Sequence, residues 1–148
     1  MRTWVLVLFY VGVLGTGAEL VLLGHYEDYR QWAPLFLFAA SLLAGLGLGF
    51  GRRSTWVRVF RLVAGSFVLA GVAGLYFHYT GNAEFELEMY PSISGSELVW
   101  ESLTGATPAL APGSIAHLGL VGLLYTFRHP ALAGRETSTE RLERTDRN

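Results

Sequence analysis

Residues 4–23 read WVLVLFYVGVLGTGAELVLL, an unbroken apolar stretch except for Thr16 and Glu19. A helix needs roughly 20 apolar residues to cross the hydrocarbon core of a bilayer, with about 17 as a floor. In a soluble domain the apolar residues recur at helix or strand period, whereas here they are massed. Two further stretches have the same character. Residues 33–50 carry Ser41 as their only polar side chain, and residues 62–79 are broken only by Ser66 and His78. A fourth, weaker stretch, residues 108–127, holds Pro112, Ser114 and His117. It reaches spanning length if it begins near Pro108, with Thr107 as cap and Pro108 in the first turn. Otherwise Pro112 kinks it or marks a later start.

The expected fold is therefore an all-α integral membrane protein, a four-transmembrane-helix bundle with helices at about 4–23, 33–50, 60–79 and 108–128. Residues 80–107 form a small extracytoplasmic lid, and residues 133–148 read as a mobile cytoplasmic tail, polar and charge-mixed. A competing reading takes Arg2, the apolar run and Thr16-Gly17-Ala18 as a signal peptide with a small-residue cleavage site. The apolar residues that continue past Glu19 favour a retained helix.

Charge sets the orientation. All eleven basic residues are Arg, and ten of them fall at Arg2, at Arg52, Arg53, Arg58 and Arg61, or at Arg128, Arg135, Arg141, Arg144 and Arg147. Only Arg30 lies in the other two connections. Because Lys and Arg stay on the cytoplasmic side, both termini are expected there, in a cytoplasmic (inner) membrane. Tyr26, Tyr29, Trp32, Tyr76 and Tyr79 suit the outer interface, and Trp4, Trp56 and Tyr125 the inner one.

Over 148 residues the net charge is −1, which draws no nucleic acid, and the lack of cysteine excludes disulfides, thiol catalysis and thiolate metal centres. Small residues at four-residue steps mark where helices approach: Gly45, Gly47, Gly49 and Gly51, then Ser66, Ala70 and Gly74, and Gly12 with Thr16.

The long third connection has structure of its own. From Ala83 to Tyr90 polar and apolar residues alternate, with Glu84, Glu86 and Glu88 on one face and Phe85, Leu87 and Met89 on the other. Period two predicts a half-buried strand ended by Pro91. Ser94-Gly95-Ser96-Glu97 has capping-box spacing and opens a short helix to about Leu103, stopped by Gly105, with Leu98, Val99, Trp100 and Leu103 at the interface. The three Glu side chains read as a solvated acidic face, or as oxygen ligands for a hard cation.

Charged groups inside a bilayer are costly and tend to serve function. Glu19 follows Gly12 and Gly15 at helical spacing and is expected to point into the bundle. His78 continues the line of Ser66, Ala70 and Gly74, and His117 lies inside the fourth stretch. With His25 these residues define a candidate intramembrane polar pocket: Glu19, His25, His78 and His117. The plainest role is a hydrogen-bonded strut with no cofactor. Alternatives are a divalent metal, haem b held by two His, or a proton relay in which burial raises the Glu pKa. The tract 25–34, with Glu27, Asp28, Arg30 and Trp32, reads as an interfacial anchor in which Glu27 or Asp28 pairs with Arg30, or as a contact for lipid or partner.

No phosphate-binding glycine loop, nucleophile elbow or paired-His zinc helix is present. Three function classes follow. The preferred one is an accessory or structural subunit of a larger membrane complex, hetero- or homo-oligomeric. The others are a small proton-coupled transporter using Glu19, and a metal- or haem-binding membrane protein. Enzymatic activity is not the favoured reading.

Overall fold

The computed structural model describes residues 1–50, 53–105 and 111–133, apart from the side chain of Arg30. The elements, in order, are α1 (Arg2–Leu22), a 3-10 turn (Tyr29–Gln31), α2 (Trp32–Phe50), α3 (Arg53–Met89), α4 (Gly95–Thr104), α5 (Gly113–Thr126) and a short α6 (Pro130–Ala133). Helices α1, α2 and α3 are long and apolar enough to cross a membrane, consistent with a helical membrane protein. Helix α1 continues unbroken through Thr16, Gly17, Ala18 and Glu19. Helix α5 is apolar but has 14 residues, about 21 Å at 1.5 Å per residue. The expected start at Pro108, capped by Thr107, lies outside the described residues. Within them α5 begins after Pro112, the later of the two anticipated starts. The tail 134–148 also lies outside them.

The four apolar helices alternate in direction. In α3 and α5, a Cβ on Gly119 would touch the Ala64 carbonyl oxygen and the Val68 nitrogen at 2.7 Å, and one on Gly71 would collide with the Ala116 backbone. Nearer the ends, Arg61 bonds Thr126 and Gly74 faces Pro112. As α3 ascends, α5 descends. Helix α1 runs antiparallel to α5, with Gly12 against Leu118 and Phe9 beside Gly122, and α2 is antiparallel to α3, with Gly47 against Trp56.

Aromatic rings fill the centre. Phe9 lies edge-on to Phe60 at 5.0 Å, Phe60 meets Tyr125 at 5.4 Å, and Phe38 meets Phe67 at 5.4 Å. Lipid tails are as apolar as leucine, so burial alone does little to hold helices together in a bilayer. Ring contacts worth about 0.5–1.5 kcal/mol each and close backbone approach at glycine supply the cohesion. Tyr125, expected at the inner interface, instead belongs to this core at 5% exposure.

The structure corrects the expected strand. Residues 83–89 are helical and complete α3, whose 37 residues extend about 55 Å, well past a hydrocarbon core of about 30 Å. No strand occurs among the described residues. Ala, Glu, Leu and Met are strong helix formers, and adding a residue to an existing helix costs far less than nucleating a new element. A lone strand would also need an edge to pair with. The helix stops at Met89, because the residue before a proline is disfavoured in the helical region; Pro91 thus ends a helix and not the expected strand. Helix α4 spans nearly the expected residues, but Ser94 makes no side-chain capping bond. It folds back on the distal part of α3, where Asn82 Nδ2 donates to the Ser102 carbonyl at 2.8 Å.

Candidate functional site

At the end of the bundle where α1 leads into α2, a cavity of about 260 Å³ lies between the α1–α2 connection, α3 and the start of α5. Its room comes from small residues of α3, Ala70, Ala73 and Gly74, facing Pro34 and Pro112. Three polar side chains reach it: His25, Gln31 and His78. His78 Nδ1 is buried and has no hydrogen-bond partner, an arrangement that costs about 1–3 kcal/mol when it stays unmet. Gln31 Oε1 accepts from the Glu27 and Asp28 backbone N–H groups at 3.0 and 3.2 Å, which fixes the connection over the cavity. Burial, with the neighbouring His78 adding to it, holds the His25 imidazole below its ordinary pKa. His25 is therefore neutral near pH 7 and can both donate and accept hydrogen bonds.

Of the four residues expected to converge, the structure brings together His25 and His78 only. Glu19 is exposed on the outside of α1, and His117 is exposed on α5. Gly12 opposite Leu118 also sets a register in which Val13, not Glu19, is level with His117. The facing was inferred from Gly12 and Gly15, yet nothing lies within 4 Å of a Cβ placed on Gly15. The packed face of α1 is instead marked by Phe9 and Val13, and the small residue that admits α2 is Gly17, against Phe38. Among the described residues no group of three or more His, Cys, Asp or Glu side chains is placed to hold a metal ion.

The interfacial tract is ordered by local bonds. Trp32 Nε1 donates to the Tyr26 carbonyl at 2.8 Å, and Glu27 and Asp28 are exposed. The expected pairing with Arg30 falls on a side chain outside those described. In the distal hairpin, helical period separates the three glutamates: Glu84 and Glu88 are exposed, whereas Glu86 is 9% exposed and faces α4. Phe85, Leu87 and Met89, expected to be half-buried, are 50%, 42% and 57% exposed. Trp100 is 64% exposed on the outer side of α4.

The opposite end of the bundle holds a set of contacts that the sequence did not reveal. Arg2 donates to the carbonyls of Tyr125, Phe127 and Arg128, each at 2.8 Å, and Arg61 donates to the Thr126 carbonyl at 2.8 Å. These carbonyls lie at the C-terminal end of α5 or just beyond it, where intrahelical N–H partners run out, and two guanidinium groups there also complement the helix dipole. His129, 3% exposed, accepts the Ala131 N–H on Nδ1 at 3.2 Å. The signal lay in the pairing of Arg2 with a distant helix end, which no local pattern encodes.

The fold and its site define a class: a small helical membrane protein with a histidine-lined cavity at one end and an arginine cluster at the other. The chain matches no protein-family model, and comparison with curated proteins and with solved structures yields no match.

Proposed function

We propose that the chain crosses the bilayer four times, with both ends cytoplasmic, and serves as an accessory subunit of a larger assembly in a bacterial inner membrane. The arginines cap the end of α5 that the positive-inside rule assigns to the cytoplasm. Helix α5 runs antiparallel to α3 and makes the fourth crossing. The hairpin of distal α3 and α4 then stands outside.

One observation carries the subunit reading. Glu19, one turn before the end of α1, is exposed on the outside of the bundle, and its carboxylate has no partner among the described residues. Intramembrane charges almost always face a bundle interior, a water-filled cavity or a partner. A neighbouring subunit that covers Leu8, Val11, Gly15 and Glu19, a face with one small and one acidic position, satisfies that requirement. A carrier mechanism through Glu19 has less support, because Glu19 does not line the histidine cavity.

The test is affinity purification in mild detergent, with mass spectrometry of what remains bound. A stoichiometric partner is expected, retained by wild type and lost on Glu19→Leu with the monomer still folded. A partner-free wild-type protein overturns the reading.

A further inference from the structure

The histidine cavity between the α1–α2 connection, α3 and the start of α5 has walls that narrow what can occupy it. Among the described residues that line it, none carries a formal charge. The polar ones are His25, Gln31 and His78, and Pro34, Ala70, Ala73, Phe77, Pro112 and Ile115 make up most of the rest. Burial, with His78 adding to it, keeps His25 neutral near pH 7. An ion entering the cavity would therefore give up water and find no opposite charge. Two imidazoles alone do not complete a metal shell, and no third His, Cys, Asp or Glu joins them among the described residues. Water suits these walls poorly, since an ordered water needs about 2–4 polar partners and apolar cavities stay dry.

The polar groups that are present suit a hydroxyl. His78 borders the cavity, but its Nδ1 is buried against protein and has no hydrogen-bond partner. The two edges of an imidazole have nearly the same outline, so a half-turn about χ2 sets a C–H in the sealed position and brings Nδ1 to the opposite edge. A neutral imidazole offers one donor and one acceptor, and a hydroxyl can bond to either. Gln31 adds only a donor, because its Oε1 already accepts two backbone N–H groups. The body of the ligand has to be apolar and compact. The volume of about 260 Å³ lies just below the roughly 300–1,000 Å³ of sites for drug-sized ligands, which leaves room for a single or fused ring. The flat faces of Phe77, Pro34 and Pro112 suit such a ring. Phe77 is also 56% exposed, so the cavity opens at the surface of α3, where a bilayer-soluble compound arrives. We propose that this cavity binds a neutral hydroxylated ring compound, a phenol or quinol taken from the bilayer, with His78 hydrogen-bonded to its hydroxyl. Glu19 does not line the cavity, so the proposal stands apart from the subunit reading.

The experiment measures binding of 2-naphthol, and of naphthalene as the same rings without the hydroxyl, to the full chain in nanodiscs of zwitterionic lipid at pH 7. Empty nanodiscs correct for partition into lipid. Saturable binding of 2-naphthol is expected, roughly tenfold tighter than that of naphthalene after the correction. His78→Phe keeps a ring in place and is expected to erase that preference, whereas His117→Phe, which alters an exposed histidine outside the cavity, keeps it. Ala70→Leu fills the cavity, leaves both histidines, and is expected to abolish saturable binding of both compounds. Circular dichroism and elution volume confirm that each variant is folded. Equal affinity of wild type for the two compounds overturns the proposal, as does binding no greater than to empty nanodiscs or a preference that survives in His78→Phe. Undiminished binding in Ala70→Leu places the compound elsewhere and overturns it too. If His78→Phe does not fold, the wild-type preference and Ala70→Leu still decide the question.

Discussion

At Gly119 the distance between two helices is set by the absence of a side chain. A methyl group there would meet the Ala64 carbonyl oxygen and the Val68 nitrogen at 2.7 Å. Both are backbone atoms, so no rotamer change relieves the clash and α3 and α5 must move apart. Overpacking of this kind costs about 1–3 kcal/mol. Gly49, by contrast, has open space where its Cβ would stand, and alanine there gains about 1 kcal/mol of helix propensity. In detergent, Gly119→Ala is expected to lower the unfolding temperature, while Gly49→Ala leaves it unchanged or slightly raised. Equal melting of the two variants would mean that the α3–α5 contact does not limit stability. The residue scale is also where sequence reading was least secure. Glycine spacing pointed to close approach, but Gly15 and Gly49 meet nothing within 4 Å, whereas Gly17, Gly71 and Gly119 do. Spacing gives a candidate face, and only the partner helix decides between faces. Glu19 was assigned inward on that ground and stands outward.

Helix α5 shows what an element owes to its ends. It is short, and its last carbonyls are met by Arg2 and Arg61 rather than by continuation of the helix. His129 sits just beyond. Burial first, and then the charges of Arg2, Arg53 and Arg61, hold its pKa below the ordinary value of 6.5. The neutral ring is thus the folded form, with Nδ1 accepting the Ala131 N–H. At pH above 6.5 both folded and unfolded states hold this histidine neutral and its stabilising bond is fully present. As pH falls below 6.5 the unfolded state takes up the proton first, and stability declines. Wild type is expected to lose more stability between pH 7.5 and 5.5 than His129→Asn, whose Oδ1 can accept the same bond without titrating. Thermal unfolding at the two pH values measures this, and equal losses would count against it. Three of the apolar helices were legible in the sequence because apolar density over a spanning length needs no tertiary information. The outward extension of α3 was not. Alternation over residues 83–90 fits a strand by count, but the residues are helix formers attached to a helix already nucleated, and continuity prevailed.

Among the described residues the bundle is polar in the literal sense, with Arg2, Arg53, Arg58, Arg61 and Arg128 gathered at one end and the carboxylates toward the other. The composition and the placement of Arg were enough to anticipate that polarity. They could not show that His25 and His78 share a cavity without Glu19 and His117, because depth along each helix was readable and rotation about its axis was not. The acidic hairpin was visible as acidic, but helical period, not the expected alternation, is what turns Glu86 toward α4 and leaves Glu84 and Glu88 exposed. The direction of every element follows from whether α5 completes a crossing, and the chain has no native cysteine, so single cysteines report sidedness directly. The deciding measurement is labelling of Ser54→Cys, Ser92→Cys and Ser138→Cys in intact cells with a membrane-impermeant maleimide. Four crossings with cytoplasmic ends predict that Ser92→Cys is labelled from outside, and that Ser54→Cys and Ser138→Cys are labelled only after permeabilisation. Labelling of Ser138→Cys together with Ser92→Cys from outside would contradict the account, since α5 would then return without crossing.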